Sequence, residues 1–322
     1  MRQSLLRIKK QESINKRIKS KLKKTMRKQS KYIENAQIFS NEEIVRDAEH
    51  TDHFIMELIA PQISKHASPG QFVTVKVQEN TTEPLLRIPL GIHDNEIKDT
   101  NKKGIKLLYK VVGDATFLLS KKKQGETINV LGPLGNGFCL DEILFEKGQT
   151  AIIIAGGHGV APLYFLAKEI IKQREQDEAF KGNVEVFLGA ATKEHVICRG
   201  AIGKFCSLGT DTIHVATEDG TQGSKGYIPK VVDRYLKKQT TDHCSRSTIY
   251  SCGPKPMLAE VARLADKYNI KAYLSLDAYM ACGIGACLGC AVSTREGYKM
   301  VCKDGPVFSA EEINWEKELQ MD

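Results

Sequence analysis

Four cysteines confined to residues 282–302 constrain this chain more than any other feature. The run Ala281–Cys290 reads ACGIGACLGC and Cys302-Lys303-Asp304-Gly305 follows it, giving the spacing C-x4-C-x2-C-x11-C. From about Ala272 onward the chain has too little apolar content for a core of its own, so something other than packing must hold it, and a metal cluster suffices. The first three cysteines have the spacing that holds [2Fe–2S] clusters, in which thiolate sulfur completes two tetrahedral irons bridged by sulfide. Gly283, Gly285 and Gly289 let the loop curl and leave backbone N–H groups free to point at sulfur. A structural zinc site is the alternative, but such sites usually pair C-x2-C knuckles, which a three-plus-one arrangement fits poorly. The candidate ligands are Cys282, Cys287, Cys290 and Cys302. Cys139, Cys198, Cys206 and Cys244 are scattered and read as packing residues.

The 322 residues, 41% of them apolar, are enough for two or three ordinary cores. From about Ala36 to Phe138, short alternating apolar runs (Phe54 to Ile59, Gln71 to Val77, Leu85 to Ile92, Ile105 to Val112, Thr127 to Leu131) are separated by turns, as in an antiparallel sheet or small barrel. From about Gln149 to Tyr268 strand and helix patterns alternate, beginning with Ala151 to Ala155 and then Ala161 to Lys172, which implies a parallel sheet covered on both faces. The expected organisation is a basic extension (1–33), an antiparallel β-barrel (34–140), a Rossmann-like parallel-sheet α/β domain (147–271) and a small C-terminal cluster-binding, ferredoxin-like region (272–322).

The parallel-sheet half carries AIIIAGGHGVAPL over Ala151–Leu163, with Gly156, Gly157 and Gly159 at a strand-to-helix turn. Glycines there admit a pyrophosphate, and the helix N-terminus supplies partial positive charge. Such a turn alone is weak evidence, because many α/β turns need glycine only for their backbone angles. The wider pattern is more specific. Together with Ser251-Cys252-Gly253-Pro254 after the fourth strand, it resembles the ferredoxin-reductase family, in which these two turns flank the nicotinamide. The resemblance implies that Gly156, Gly157, Gly159, Cys252, Gly253 and Pro254 bind NAD, with Cys252 beside the ring where hydride moves; the alternative for Cys252 is a small buried residue at a strand end. Gly189-Ala190-Ala191 brings no arginine for a 2′-phosphate, which favours NAD over NADP.

The order of barrel, α/β domain and cluster tail is similar to the dihydroorotate dehydrogenase B branch of that family over about Ala36 to Phe308. Its most specific parts are ACGIGACLGC, the closing Cys302-Lys303-Asp304-Gly305-Pro306-Val307-Phe308 and Gly132-Pro133-Leu134-Gly135-Asn136-Gly137-Phe138. In that branch FAD is held by a segment resembling R-R-P-I-S, here Arg87-Ile88-Pro89-Leu90-Gly91. A second segment, Y-R followed by G-x-G-T, here covers Leu108-Tyr109-Lys110 and Gly113-Asp114-Ala115-Thr116. Isoleucine replaces the second arginine, Gly91 a serine and Ala115 a glycine. The resemblance implies that Arg87 neutralises the pyrophosphate, that Tyr109 and Lys110 line the site and that Thr116 bonds a phosphate.

A hydride carries two electrons and a [2Fe–2S] centre accepts one, so FAD between them would act as converter. The branch implies an oxidoreductase subunit in pyrimidine (UMP) biosynthesis. It would take electrons from a separate FMN-containing dihydroorotate dehydrogenase catalytic subunit, through the cluster and FAD, to NAD+. Two of each subunit would form a heterotetramer. The chain lacks the repeated βα units of a (β/α)8 barrel, so oxidation of dihydroorotate itself is not expected of it. A related reductase subunit for another partner, a sulfide dehydrogenase or a ferredoxin:NAD(P)+ oxidoreductase, is the alternative.

The net charge of +8 is misleading, since residues 1–31 hold thirteen Lys/Arg against the single acid Glu12 and leave the remainder at about −4. Such a segment is expected to be a solvated extension, or to precede an authentic start at Met26, rather than to bind nucleic acid or a membrane. No window approaches the roughly 20 apolar residues of a membrane span, and no secretory signal is evident, so a cytoplasmic location is expected.

Overall fold

The computed structural model describes residues 30–45, 52–78, 83–99, 101–139, 149–176, 182–198, 200, 202 and 212–320. The basic segment 1–29 and Cys206 lie outside them. Barrel, sheet and tail all belong to one compact unit, Lys31–Phe138 with Phe145–Asp322.

Six antiparallel strands close a barrel: β1 (Tyr32–Val45), β2 (His53–Ile59), β3 (Phe72–Lys76), β4 (Ile88–Asp94), β5 (Ile105–Lys110) and β6 (Thr127–Leu134), in the order β1-β2-β5-β4-β3-β6. Closure pairs β1 with β6 and leaves no open edge. Period-two alternation decides which side chains fill it. Leu90 and Ile92 of β4, and Leu107 and Tyr109 of β5, pack with Val73, Val75, Ile128 and Val130 inside. Gly91, His93 and Leu108 lie on the opposite face of their strands. Helix α1 (Pro61–His66) begins on Pro61, which suits the first turn because its missing N–H needs no partner. The Glu34 carboxylate accepts the next two N–H groups, Gln62 at 3.2 Å and Ile63 at 2.8 Å. Helix α2 (Asp114–Ser120) follows β5.

The second layer begins with β7 (Thr150–Gly156), every residue of which is buried, as suits a central parallel strand covered on both faces. Then come α3 (Val160–Gln176), β8 (Asn183–Ala190), β9 (Thr212–Thr217), β10 (Ser224–Lys225), α4 (Ile228–Leu236), α5 (Thr241–Ser245), β11 (Ser247–Cys252), α6 (Lys255–Tyr268) and β12 (Lys271–Ser275). Asn269 ends α6 in the left-handed conformation at φ 52°, a conformation asparagine tolerates. The tail adds a hairpin of β13 (Ala291–Thr294) and β14 (Gly297–Met300), then β15 (Val307–Ser309) and α7 (Trp315–Glu318). Strand β15 joins the edge of the sheet antiparallel to β12, completing the order β10-β9-β8-β7-β11-β12-β15. The expected division at 271/272 therefore falls inside β12, and the sheet takes its last strand from beyond the cysteines. Among the described residues no helix is long and apolar enough to cross a membrane.

A charged seam fastens the barrel to α3. Lys168 Nζ lies 2.7 Å from both Asp94 Oδ1 and Glu96 Oε2, and Lys106 Nζ lies 3.9 Å from Asp94 and 3.5 Å from Glu57. The Asp94 side chain is only 5% exposed, so these amines are the counter-charges of a buried carboxylate. Lys168→Met is expected to cost about 2–4 kcal/mol, because it strips the closest partner from a buried carboxylate. Lys98→Met, which breaks an exposed pair with Glu42, is expected to cost less than about 1 kcal/mol. Urea unfolding of the two variants checks the contrast, and equal losses would count against it.

Candidate functional site

The four tail cysteines meet as two pairs. Cys282 and Cys287 interact through their side chains, as do Cys290 and Cys302, and Cys302 is also close enough to Cys282 to interact with it. No group of three or more His, Cys, Asp or Glu among the described residues is arranged to hold a single metal ion. Two thiol pairs match the demand of a binuclear cluster, in which each iron takes two protein sulfurs. Backbone donors surround the sulfurs: Ala286 (3.2 Å), Ile284 and Cys287 (both 3.4 Å) donate to Cys282 Sγ, Gly289 donates to Cys287 Sγ (3.5 Å), and Cys302 donates to Cys290 Sγ (3.4 Å). Desolvation would raise the Cys282 thiol, but the N–H groups of Ile284, Cys287 and Ala286 outweigh it and bring the thiol down to about 6. That favours the thiolate, the form that binds iron. Leu288, between the second and third cysteines, is held at φ 61°, a strained backbone for a branched residue. Cys287 is exposed and Cys282 half-buried, whereas Cys290 and Cys302 are buried, so one pair faces outward and the other inward.

The two tail-related motifs hold each other. Asn136 of the barrel's closing turn donates its side-chain amide to the carbonyls of Lys303 (3.1 Å) and Asp304 (3.0 Å), and its backbone N–H donates to Gly305 O (2.6 Å). The last cluster cysteine is thereby tethered to the barrel. Asn136→Ala is expected to loosen that segment by about 1–2 kcal/mol and to speed loss of iron to a chelator. Chelator-chase kinetics followed at the cluster absorbance band check this.

At the C-terminal end of the sheet the two glycine turns are in contact. Strands β7 and β11 pair in register, Ala155 opposite Cys252. The approach beyond them is so close that a Cβ on Gly159 would stand 2.1 Å from the Cys252 carbonyl oxygen. Gly156, Gly157, Gly159, Cys252, Gly253 and Pro254 thus lie together at the carboxyl ends of adjacent strands, where open α/β sheets bind ligands. Burial pushes the Cys252 thiol up to about 12, and the nearby Asp277 charge adds to this, so Cys252 presents a neutral thiol.

The candidate flavin residues divide by strand face. Gly91 faces the sheet domain, and a Cβ there would meet Pro162 at an unstrained 3.9 Å. Ile88 and Leu90 are packed with the barrel core, and Pro89 opposes Thr74. Two side chains do not stand where the sequence reading put them. Tyr109 is 1% exposed, stacked on Phe54 within the barrel, and its phenol donates to Asn41 Oδ1 (2.9 Å), so it does not line a cleft with its ring. Thr116 caps its own helix: Val112 N–H (2.9 Å) and Gly113 N–H (3.2 Å) donate to its hydroxyl, which donates to Gly113 O (2.9 Å). Alternation explains the first, because Leu108 and Lys110 take the outer face. Arg87 donates to the carbonyls of Thr74 (3.3 Å) and Asn129 (3.4 Å) and to the Asn129 side-chain oxygen, bracing β3 against β6. Ala115, in the first turn of α2, is half-buried.

His158, between the glycines of the first turn, is a residue the sequence reading passed over. Its ring bridges the two halves, with Nε2 2.9 Å from the Leu108 carbonyl of β5. Burial holds this imidazole below the ordinary histidine value, so it is neutral at pH 7. A carbonyl only accepts, so Nε2 carries the proton.

Comparison with known proteins agrees with this architecture. Residues 277–314 match the iron–sulfur cluster binding domain of dihydroorotate dehydrogenase B, and residues 153–263 match an oxidoreductase NAD-binding domain. The chain is 36% identical over 267 residues to a dihydroorotate dehydrogenase B (NAD(+)) electron transfer subunit of Desulforamulus reducens, covering 82% of this chain and 93% of that one. It is 40% identical over 276 residues to the protein of the same description from Bacillus pumilus, covering 84% and 96%. Among solved structures, one of an NADH-dependent reduced ferredoxin-NADP oxidoreductase superposes with a TM-score of 0.71 at 29% identity, over 89% of this chain and 92% of that chain. A ferredoxin NADP+ reductase from Neisseria gonorrhoeae, with a TM-score of 0.55 at 19% identity over 73% and 91%, shares the fold.

Proposed function

The chain belongs to the family of dihydroorotate dehydrogenase B electron-transfer subunits, and from that premise we propose that it carries electrons from a catalytic partner, through a [2Fe–2S] cluster and FAD, to NAD+. The observation that carries the proposal is the gathering of the four cysteines, Cys287 exposed and Cys282 half-buried on one side, Cys290 and Cys302 buried on the other. Cys282 and Cys287 would hold the iron nearer the partner, Cys290 and Cys302 the iron nearer the barrel. Bound FAD would exchange electrons singly or in pairs, the conversion that a one-electron cluster and a two-electron nicotinamide require.

The chain's own residues supply positioning. Gly156, Gly157, Gly159, Gly253 and Pro254 give the nicotinamide dinucleotide a close approach to backbone, and Cys252 contributes an uncharged thiol beside it. Arg87, Ile88, Pro89, Leu90 and Gly91, with Leu108, Tyr109, Lys110, Ala115 and Thr116, would form the FAD side, Tyr109 and Thr116 through backbone alone. The barrel (34–140) would then be the flavin domain, 147–271 the nicotinamide domain and 272–322 the cluster region. The partner we infer is an FMN-containing dihydroorotate dehydrogenase, two copies of each chain forming a cytoplasmic heterotetramer, with neither nucleic acid nor membrane as a partner. That Gly189-Ala190-Ala191 at the end of β8 brings no arginine supports NAD over NADP.

The test is anaerobic capture of the tagged chain from its host, followed by assay of orotate formation from dihydroorotate with NAD+ as sole acceptor. Turnover with a co-purifying flavoprotein of about 250 residues or more supports the reading. NADH oxidation that bleaches the cluster but is never matched by orotate would instead favour a ferredoxin-linked reductase. The likeness to the NADH-dependent ferredoxin-NADP oxidoreductase at 29% identity is the observation behind that second reading.

A further inference from the structure

The loop that carries Cys282 lies directly on the barrel. A Cβ on Gly283 would meet Thr74 Cγ2 at 2.8 Å, Leu134 Cδ1 at 3.5 Å and Phe72 Cε2 at 3.9 Å, so of these three only the Thr74 methyl stands too close for a side chain. Gly283 is also held at φ 67°, which glycine adopts without steric cost. Thr74 and Phe72 belong to β3 and stand directly opposite Pro89 and Gly91 of β4. Residues directly opposite in a ladder share a face, so Thr74 and Phe72 lie on the outer face with Pro89 and Gly91, while Val73, Val75 and Leu90 turn into the barrel. Arg87, which begins the candidate flavin segment, donates to the Thr74 carbonyl at 3.3 Å. Phe72 and Leu134 share one buried cluster with Cys290 and Cys302. A single strand spacing, about 4.8 Å, thus separates the residues beneath the cluster loop from residues 87–91.

We propose that the outer face of β3 at Phe72 and Thr74 is the bridge over which electrons pass between cluster and flavin, and that Gly283 sets its length. The inference rests on the reading that FAD lies against residues 87–91. In each passage one centre loses one electron and the other gains it, in the direction that the partner or NADH supplies. Electron transfer weakens steeply as the gap widens, so a side chain that lifted the loop off β3 would slow this step without touching the nicotinamide turns. Gly283 is a positioning residue: it acts by placing no side chain between the cluster loop and Thr74.

Flash photoreduction of bound flavin in the full chain, followed by transient absorbance at the cluster band, reads the flavin-to-cluster step alone. Rapid mixing with NADH reads flavin reduction, and iron per chain and thermal unfolding are measured beside both. Gly283→Ala is expected to slow the flavin-to-cluster step several-fold, to leave flavin reduction by NADH at the parent's rate and to lower the unfolding temperature by a few degrees, as overpacking does. Thr74→Ser removes the methyl group that the new Cβ would meet, so adding it to Gly283→Ala is expected to restore most of the lost rate. Thr74→Ser does nothing for backbone strain at φ 67°. A double variant as slow as Gly283→Ala would therefore make strain the cause and overturn the proposal, as would Gly283→Ala transferring electrons at the parent's rate. Should Gly283→Ala lose its iron, Thr74→Ile presses on the loop from the barrel side, on a strand backbone that suits a β-branched residue. The same slowing is expected of it, and the parent's rate would overturn the proposal. A parent chain that holds no FAD, or whose photoreduced flavin never bleaches the cluster, would overturn the reading of the flavin site instead.

Discussion

Cys287→Ser is expected to abolish NAD+ reduction driven by dihydroorotate while leaving NADH-dependent reduction of a small dye intact. The serine oxygen is a hard ligand where iron–sulfur chemistry needs a soft thiolate, and Cys287 is one of the two cysteines of the outward pair. On the proposed assignment, loss of that iron breaks the path between partner and flavin, while the glycine turns proposed for the nicotinamide lie elsewhere, at the ends of β7 and β11. The fold around the cysteines is partly independent of metal, because Asn136 and β15 hold the segment after Cys302. Cys198→Ser, in a cysteine outside the set, is expected to leave iron content unchanged. The readouts are iron per chain, the cluster absorbance and the two activities. Full retention of dihydroorotate-driven turnover in Cys287→Ser would remove the cluster from the path.

Gly159→Ala is the complementary change. The added Cβ would stand 2.1 Å from a backbone oxygen, 2.4 Å from its carbon and 2.7 Å from the Gly253 nitrogen, none of which can rotate aside. The two turns must separate. A loss of at least about 1–3 kcal/mol in stability is expected, together with loss of NAD+ binding, since the dinucleotide would sit where the turns meet. Gly157→Ala is the control within the same turn. A Cβ there meets no protein atom within 4 Å, so its cost to stability is that of φ 51°, about 1–2 kcal/mol. Titration of NAD+ into both, with thermal unfolding alongside, distinguishes steric separation from backbone strain. NAD+ binding by Gly159→Ala at the parent's affinity would show that the contact between turns is irrelevant to the site.

The two halves and the cysteine set were legible because their signals are chemical or strongly periodic. The all-buried β7 and the helix after it show in the run AIIIAGGHGVAPL, and the thiols need no packing argument. β1 escapes such a reading. Among its described side chains Ala36 and Ile38 are buried in the core and Tyr32 packs against it, while Ile33 and Ile44 are exposed, so the strand looks polar and is fixed by closure with β6 rather than by its own pattern. The site was less legible than the fold. Residue type marks Tyr109 and Thr116 as ligand-like, but strand phase sends one inward and local capping consumes the other. His158 carried a signal, an imidazole in a turn otherwise made of glycines, whose meaning depends on Leu108 fifty residues away.

The short strand β15 changes how the molecule can have been assembled and can be taken apart. Its three residues follow the last cluster cysteine, yet they complete the nicotinamide sheet beside β12, while Asn136 grips the residues just before them. The cluster segment is thus sewn into its neighbours on both sides. It is not a detachable cassette that recombination could graft onto a reductase by simple fusion. A shortened gene product ending before Val307 would uncover the backbone of β12 as a raw edge, inviting self-association, so nonsense or frameshift alleles in the last exon-sized stretch would yield insoluble protein rather than a flavin reductase lacking only its iron.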